Sequence, residues 1–404
     1  MNKILIISNF YYPLQHIASN RIVAFGKYLN EFGYDTVVIT KGDKDENKVI
    51  DGVRVYYVKD ASIIKKLDTS KIESKLIHYF KCVWNIFIMN FVIDEDFGWT
   101  KCAEKKAVEV LKEESFDFVL SSAPPIGSHI IAYSIKKKFA KIKWIVDMRD
   151  ALWSPNYPRP MRQKLINFIK NIVALQGDIL LAVSKPQLEE YKKLTNNKMY
   201  YLELRNGYDF DFIESNKDKK KKYRIIYTGS FYSIRKPDKF FKAVQMLLVN
   251  NEIEDFCIEI VGNSAPITIP KELSQYVNIY PRMDYKKLIK YLRENADLLL
   301  MIIPSNIEKG CYTGKLFDYI GIGKPILGLV PKNDVAADLI KKTNIGYIAD
   351  DENIDEIKFV LKQAYEDWKI GRVNLLNYTL IKKHHRKEQV ERLVKFIRNI
   401  YRNA

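Results

Sequence analysis

The stretch Leu298-Leu-Leu-Met-Ile-Ile303-Pro-Ser-Asn-Ile-Glu-Lys-Gly310-Cys-Tyr-Thr-Gly314-Lys315-Leu-Phe-Asp318-Tyr-Ile-Gly-Ile-Gly323-Lys-Pro-Ile326-Leu-Gly-Leu-Val330 decides how this chain is read. An aliphatic run of strand length leads into a glycine-containing loop. Apolar residues at helical spacing follow, glycines stop the helix, and a second aliphatic run begins. Strand, helix and strand in that order make the crossover unit of a parallel sheet, because parallel neighbours cannot be joined by a tight turn. Runs without polar alternation predict strands covered on both faces.

Working outward, similar runs stand at Arg224–Thr228 and Cys257–Val261. In the first half they occur at Ile4–Ser8, Thr36–Thr40, Val53–Val58, Phe116–Ser121, Trp144–Asp147 and Ile179–Val183. Helical periods separate most of them, which predicts an α/β protein with helices on both sheet faces. The pattern stops at Asn216-Lys-Asp-Lys-Lys-Lys-Lys222, whose like charges repel and have nothing to bury, and restarts afterwards. Two doubly wound domains facing a central cleft are therefore expected. The first spans 1–205, the linker 206–222 and the second domain 223–370. A helical segment at 371–404 is expected to cross back to the first domain.

The size, 404 residues, suits two large domains, and 47% apolar with 28% charged residues excludes global disorder. A net charge of +17, spread over both halves, favours anionic partners without naming one. Cysteines at 82, 102, 257 and 311 match neither a zinc spacing nor a disulfide framework, so a reducing cytosol is the expected compartment. The apolar run at Ile4 is too short for a signal peptide, and the Cys82–Ile93 run is too short to span a bilayer.

Familiar motifs fail on inspection. Gly310 and Gly314 are one residue too close for a Walker loop, and Leu316 stands where a magnesium-binding hydroxyl is needed. Ser8-Asn-Phe-Tyr-Tyr-Pro13 occupies the turn where a dinucleotide fingerprint would lie. Acid pairs at Asp43/Asp45, Asp94/Asp96 and Asp209/Asp211 are no more than chance predicts, so no metal and no cofactor is expected.

What remains is a phosphate site. The Gly310–Gly314 loop, with Thr313, opens a helix at the carboxyl end of a parallel strand, where backbone N–H groups and the helix dipole favour an anion. Lys315 adds a full charge. Asp318, three residues on, shares its helix face and can accept two ribose hydroxyls. A second basic element follows the strand Arg224–Thr228: Gly229 permits a tight exit, and Arg235 and Lys236 precede a helix near Pro237. Two cationic loops on one sheet edge point to a nucleoside diphosphate.

With these blocks in place, the whole chain resembles a GT-B-fold glycosyltransferase of the large family 4 group. Asp147-Met-Arg-Asp150-Ala-Leu-Trp153 resembles that family's D-F-R-D-P-W segment, and Arg205-Asn-Gly-Tyr-Asp209 its N-G-x-D turn. Gly314-Lys-Leu-Phe-Asp-Tyr319 with Gly323-Lys-Pro-Ile326 resembles the S-K-x-x-E-Y and G-K-P-I donor block. The resemblance implies two Rossmann-like domains and sugar transfer from a nucleotide-sugar donor to a glycan or lipid-linked acceptor. It also implies a bacterial surface-polysaccharide context, capsule or lipopolysaccharide, with the anomeric configuration retained. Asp318 then takes the ribose position, and Lys315 with Arg235 or Lys236 faces the diphosphate.

The chain departs from the pattern in three places. Asp replaces Glu at 318, Gly310 stands where relatives carry the first acid of an E-x7-E pair, and Ser230 stands where relatives have arginine. Acceptor contacts are expected from the first domain: the loop Asn9–Arg21 with His16, the turn Ser121–Pro125, and Asp147, Arg149 and Asp150. An internal ion-pair network is the alternative role for those three.

Two rivals are an epimerase or hydrolase using the same donor, and a nucleic-acid-binding protein, for which no basic-aromatic stripe speaks. Lys65, Lys66, Lys71, Lys75 and Lys81 interleave with Leu76, Ile77, Tyr79, Phe80, Val83, Trp84, Ile86 and Phe87. That mixture suits an anionic membrane surface and predicts peripheral attachment on its inner face.

Overall fold

The computed structural model describes residues 2–14, 17–61, 74–91, 96–150, 159–211, 222–231, 235–305, 309–372 and 375–401. His16, Trp153, Lys65, Lys66, Lys71 and the 219–221 lysines lie outside the described residues. The chain divides into two compact units, Met1–Arg205 with Gln389–Ala404, and Asn206–Glu388.

The first unit holds an eight-stranded sheet: β1 (Asn2–Ile7), β2 (Tyr34–Gly42), β3 (Glu46–Ile50), β4 (Val53–Lys59), β5 (Phe118–Ala123), β6 (Lys143–Met148), β7 (Ile179–Ala182) and β8 (Tyr200–Glu203). Their order is β3-β4-β2-β1-β5-β6-β7-β8, and only the β3–β4 pair is antiparallel. The aliphatic runs are buried on both faces, as the absence of alternation requires. Leu5 and Ile7 pack with Trp99, Ala103, Ile131 and Ile135 from the helices Phe97–Glu113 and Gly127–Lys138. Ile4 and Ile6 pack on the opposite side with Ile22, Phe25 and Leu29 from the helix Ile17–Glu31. That second face also takes Val390, Leu393, Val394 and Ile397 from the last helix, Arg386–Tyr401.

The second unit holds six parallel strands, β9 (Tyr223–Thr228), β10 (Phe256–Val261), β11 (Val277–Tyr280), β12 (Leu298–Ile302), β13 (Ile326–Leu329) and β14 (Gly346–Ala349), ordered β11-β10-β9-β12-β13-β14. Ile225, Ile258 and Leu300 bury against Phe240, Val244, Ile357 and Leu361, from the helices Asp238–Val249 and Ile354–Lys369. Ile226, Leu299 and Met301 bury against Leu292, Phe317, Ile320 and Ile340 on the other face.

The strands that pattern reading missed are β3, β8, β11 and β14. All four are the short edges of the two sheets, where one flank is unpaired and the apolar signal is diluted. The consequence of the order lies at its reversal. Chain progression switches direction between β9 and β12, and loops leaving adjacent carboxyl ends diverge there, opening the crevice in which doubly wound sheets bind ligands. In the first unit the same switch falls between β1 and β5.

Candidate functional site

The two loops singled out from sequence leave the two switch-point strands of the second unit. Gly229 follows β9 with φ +87°, a left-handed turn that glycine adopts without strain, and its N–H bonds the Val261 carbonyl at 2.7 Å. Ser230 then turns toward the loop after β10, its hydroxyl 2.8 Å from that of Ser264 and donating to the Gly262 carbonyl. This is a sufficient local reason for serine at the position where the family pattern carries arginine. Phe231 stacks on Tyr227 at 4.1 Å between ring centroids.

From β12 the chain reaches Gly310, φ +84°, whose N–H donates to the Asp334 carboxylate at 2.8 Å. Asp334 also caps the helix Val335–Thr343, so one side chain anchors the loop to a rigid neighbour. The helix Gly314–Ile322 starts after Thr313, whose backbone is extended and whose hydroxyl faces the Met301 sulfur at 3.8 Å. The Thr313 side chain makes no cap hydrogen bond, and the N-terminus of such a helix favours an anion.

Tyr319 fixes this helix against β9. Its buried phenol oxygen accepts the Thr228 N–H at 3.1 Å and lies 3.0 Å from the Thr228 hydroxyl. Lys315, one turn earlier on the same face, is thereby carried over the Tyr227 ring, its ammonium 4.1 Å from the centroid. Arg235 is buried beside it. Burial pulls the Lys315 ammonium down to about 7, and the Arg235 charge pushes the same way. Gly229, Lys315 and Arg235 are thus brought together, while Lys236 is exposed.

Asp318 faces another neighbour. The Tyr285 hydroxyl, at the start of the helix Tyr285–Asn295, donates to its carboxylate at 2.7 Å. Burial raises the Asp318 carboxyl to about 6, against the opposing pull of Arg386 and of the Tyr285 bond. Neither Tyr285 nor Arg386 was singled out from sequence. Tyr285 lies one residue past the Asp284 cap, a signal of helix entry only, and Arg386 gives no local signal.

In the first unit Asp147 has no exposed surface. Arg21 grips both its oxygens, at 2.7 and 3.0 Å, and the Ser122 hydroxyl donates to it at 2.7 Å. Arg21 also donates to the carbonyls of Leu204 and Arg205. Arg149 is buried, lies over the Phe10 ring at 5.0 Å, donates to the Pro124 carbonyl and pairs with the exposed Asp150 at 3.6 Å. Asp147 is thus held in a buried ion pair with Arg21, while Asp150 is exposed. His129 is fully buried against Ser121 and Met148, and burial lowers its imidazole to about 3, so it packs as a neutral ring. Among the described residues no group of three or more His, Cys, Asp or Glu is placed to hold a metal ion.

No family model and no curated protein sequence matches the chain. Solved structures do. Sucrose-phosphate synthase from Thermosynechococcus elongatus superposes with a TM-score of 0.64 at 13% identity, over 100% of both chains. Anabaena HepE in complex with UDP and glucose gives 0.61 at 12%, covering 99% of this chain and 100% of that one. The lipopolysaccharide outer core galactosyltransferase WaaB gives 0.58 at 15%, over 100% of both. At such identities the likeness speaks for architecture, and the two parallel-sheet, Rossmann-like units have the GT-B fold.

Proposed function

We propose that this protein is a glycosyltransferase that moves a sugar from a nucleotide-sugar donor to a glycan or lipid-linked acceptor in surface polysaccharide synthesis. The carrying observation is Lys315 beside Gly229 at the β9/β12 switch point, with Arg235 close enough to act on its charge, at the start of a helix whose N-cap Thr313 makes no side-chain cap bond. Two cations close enough to act on each other at a sheet edge favour a ligand that carries negative charge. A diphosphate meets that demand.

The chemistry follows from the charge. Breaking a sugar–diphosphate bond builds negative charge on the leaving phosphate, and cations fixed in a partly buried site stabilise it without reorganising. Lys315 and Arg235 have that role, Gly229, Gly310, Thr313 and Gly314 let the backbone approach the phosphates, and Asp318 takes the ribose. The first unit is the acceptor carrier in this reading. The likeness to HepE, in complex with UDP and glucose, supports the donor class, and the resemblance to family 4 enzymes supports a retaining, metal-independent course.

A membrane-surface acceptor is supported by the helix Lys75–Phe91, which contains no acidic residue. Leu76, Tyr79 and Phe80 are 81%, 70% and 67% exposed, and Ile77 and Val83 are exposed too. Among the described residues no helix is long and apolar enough to cross a membrane.

The test is a thermal-shift panel of nucleoside diphosphates and their sugars, followed by product analysis with and without acceptor. A ligand at 100 times its dissociation constant stabilises the native state by about 2.7 kcal/mol. A flat panel, or turnover of donor that ignores acceptor, would replace this reading with none or with an epimerase or hydrolase.

A further inference from the structure

The returning chain is built into the candidate donor site. Tyr208 and His385 form a parallel bridge: the Tyr208 N–H bonds the His384 carbonyl at 3.2 Å, and the Arg386 N–H bonds the Tyr208 carbonyl at 2.9 Å. Two glycines permit this approach. A methyl on Gly207 would collide with the His384 carbonyl, and one on Gly321 would overlap the Tyr208 ring, which lies against the helix that carries Lys315 and Asp318. His384 packs on Phe317 of that helix at 5.6 Å. Arg386 is so delivered near Asp318 and Tyr285, where its charge acts on both.

We propose that Tyr285 and Arg386 are positioning residues that hold the Asp318 carboxylate ionised and aimed at a ribose hydroxyl pair. This rests on the reading of Asp318 as the ribose contact. The Tyr285 hydroxyl occupies one carboxylate oxygen at 2.7 Å and so fixes the rotation of the group, leaving the other oxygen for ligand. A buried carboxyl drifts toward its neutral form, and a neutral acid accepts hydrogen bonds more weakly. Arg386 opposes that drift. The groups acting on Asp318 are Arg386 and Tyr285 from neighbouring segments and, on its own helix, Tyr319. Tyr285 and Tyr319 are both pushed up by burial and stay neutral, so Arg386 is the cation that opposes protonation of Asp318.

Calorimetric titration of the full chain with UDP-glucose, GDP-mannose and ADP-glucose tests the proposal, with pyrophosphate as a probe that has no ribose. Binding of the nucleotide sugar should strengthen with pH through about 6, where Asp318 ionises. Tyr285→Phe and Arg386→Gln should move that rise to higher pH and weaken nucleotide-sugar binding about 10-fold below neutral pH, the size of one charge-assisted hydrogen bond. Pyrophosphate binding, compared at equal pH, should change less than about 2-fold, and Arg386→Lys should recover most of the loss.

Folded Tyr285→Phe and Arg386→Gln variants with unshifted profiles would overturn the proposal, as would equal losses for pyrophosphate. Asp318→Asn separates the two levels. If it weakens the nucleotide sugar while Tyr285→Phe and Arg386→Gln do not, only the positioning proposal fails. If it has no effect, or no nucleotide sugar binds the wild type, the ribose reading fails first.

Discussion

A Cβ placed on Gly229 would stand 3.0 Å from the Lys315 ammonium, so the absence of a side chain at the exit of β9 is what lets that cation sit where it does. Gly229→Ala should therefore have two separable effects. The positive φ strains alanine by about 1–2 kcal/mol, seen as a modest fall in melting temperature. The flexible lysine end moves aside at little cost to stability but leaves its place, so nucleotide binding should weaken more than the melting temperature suggests. Unchanged affinity in a destabilised Gly229→Ala protein would place the phosphate elsewhere.

Lys315 and Arg235 should differ from Asp318 in steady-state kinetics. Charge on the diphosphate grows as the sugar bond breaks, so Lys315→Ala or Arg235→Ala should lower turnover more than donor binding. Asp318→Asn should mainly raise the donor Michaelis constant, because a ribose contact is equal in ground and transition states. Each loss should be on the order of 1.5–3 kcal/mol, roughly 10- to 150-fold. Wild-type kinetics in a folded Lys315→Ala, Arg235→Ala protein would show that the wrong loops were chosen.

The depressed Lys315 ammonium makes a signed pH prediction. Its value falls from 10.5 in the unfolded chain to about 7, so between those limits the native state binds fewer protons than the unfolded state. Stability from this group therefore rises with pH across that window, and its burial cost is complete below 7. Lys315→Met should melt higher than wild type at pH near 6 and lose the advantage in alkali. A bound diphosphate restores the charge, so binding at pH near 8 should take up a proton, read from titrations in buffers of different ionisation heat. Binding without proton uptake would remove Lys315 from the phosphate site.

Asp147 should act through stability. Arg21 and Asp147 are both buried, and Asp147→Asn leaves the Arg21 guanidinium without its counter-charge, a loss of about 3–5 kcal/mol. Urea denaturation reads this directly. A variant as stable as wild type but without activity would return Asp147 to the acceptor contacts.

For the membrane surface, a Leu76→Ser, Tyr79→Ser, Phe80→Ser protein should fold normally, since these side chains face solvent. It should lose flotation with anionic vesicles that wild type shows at low salt, and neither protein should float with zwitterionic ones. Wild type remaining at the bottom in low salt ends the idea.

The amino-acid sequence determined the alternation of strands and helices and the Gly310–Lys315 loop opening a helix. Each is written within one or two dozen neighbouring residues, by a run of aliphatic side chains or by glycines at a turn, so local pattern suffices to find it. Edge strands such as Glu46–Ile50, with one unpaired flank and polar residues, carried too little of that signal. Which loops meet was decided only by the strand order, which sets β9 beside β12 and brings Lys315 onto Gly229 from a distant part of the chain. Tyr285 and Asp318 are 33 residues apart, Arg21 and Asp147 are 126 apart, and Arg386 arrives near the end of the chain. Such pairs have no spacing rule, because their contact depends on how helices pack over a closed set of strands. The tertiary fold alone turned Asp147 inward to Arg21 and set Tyr285 and Arg386 against Asp318.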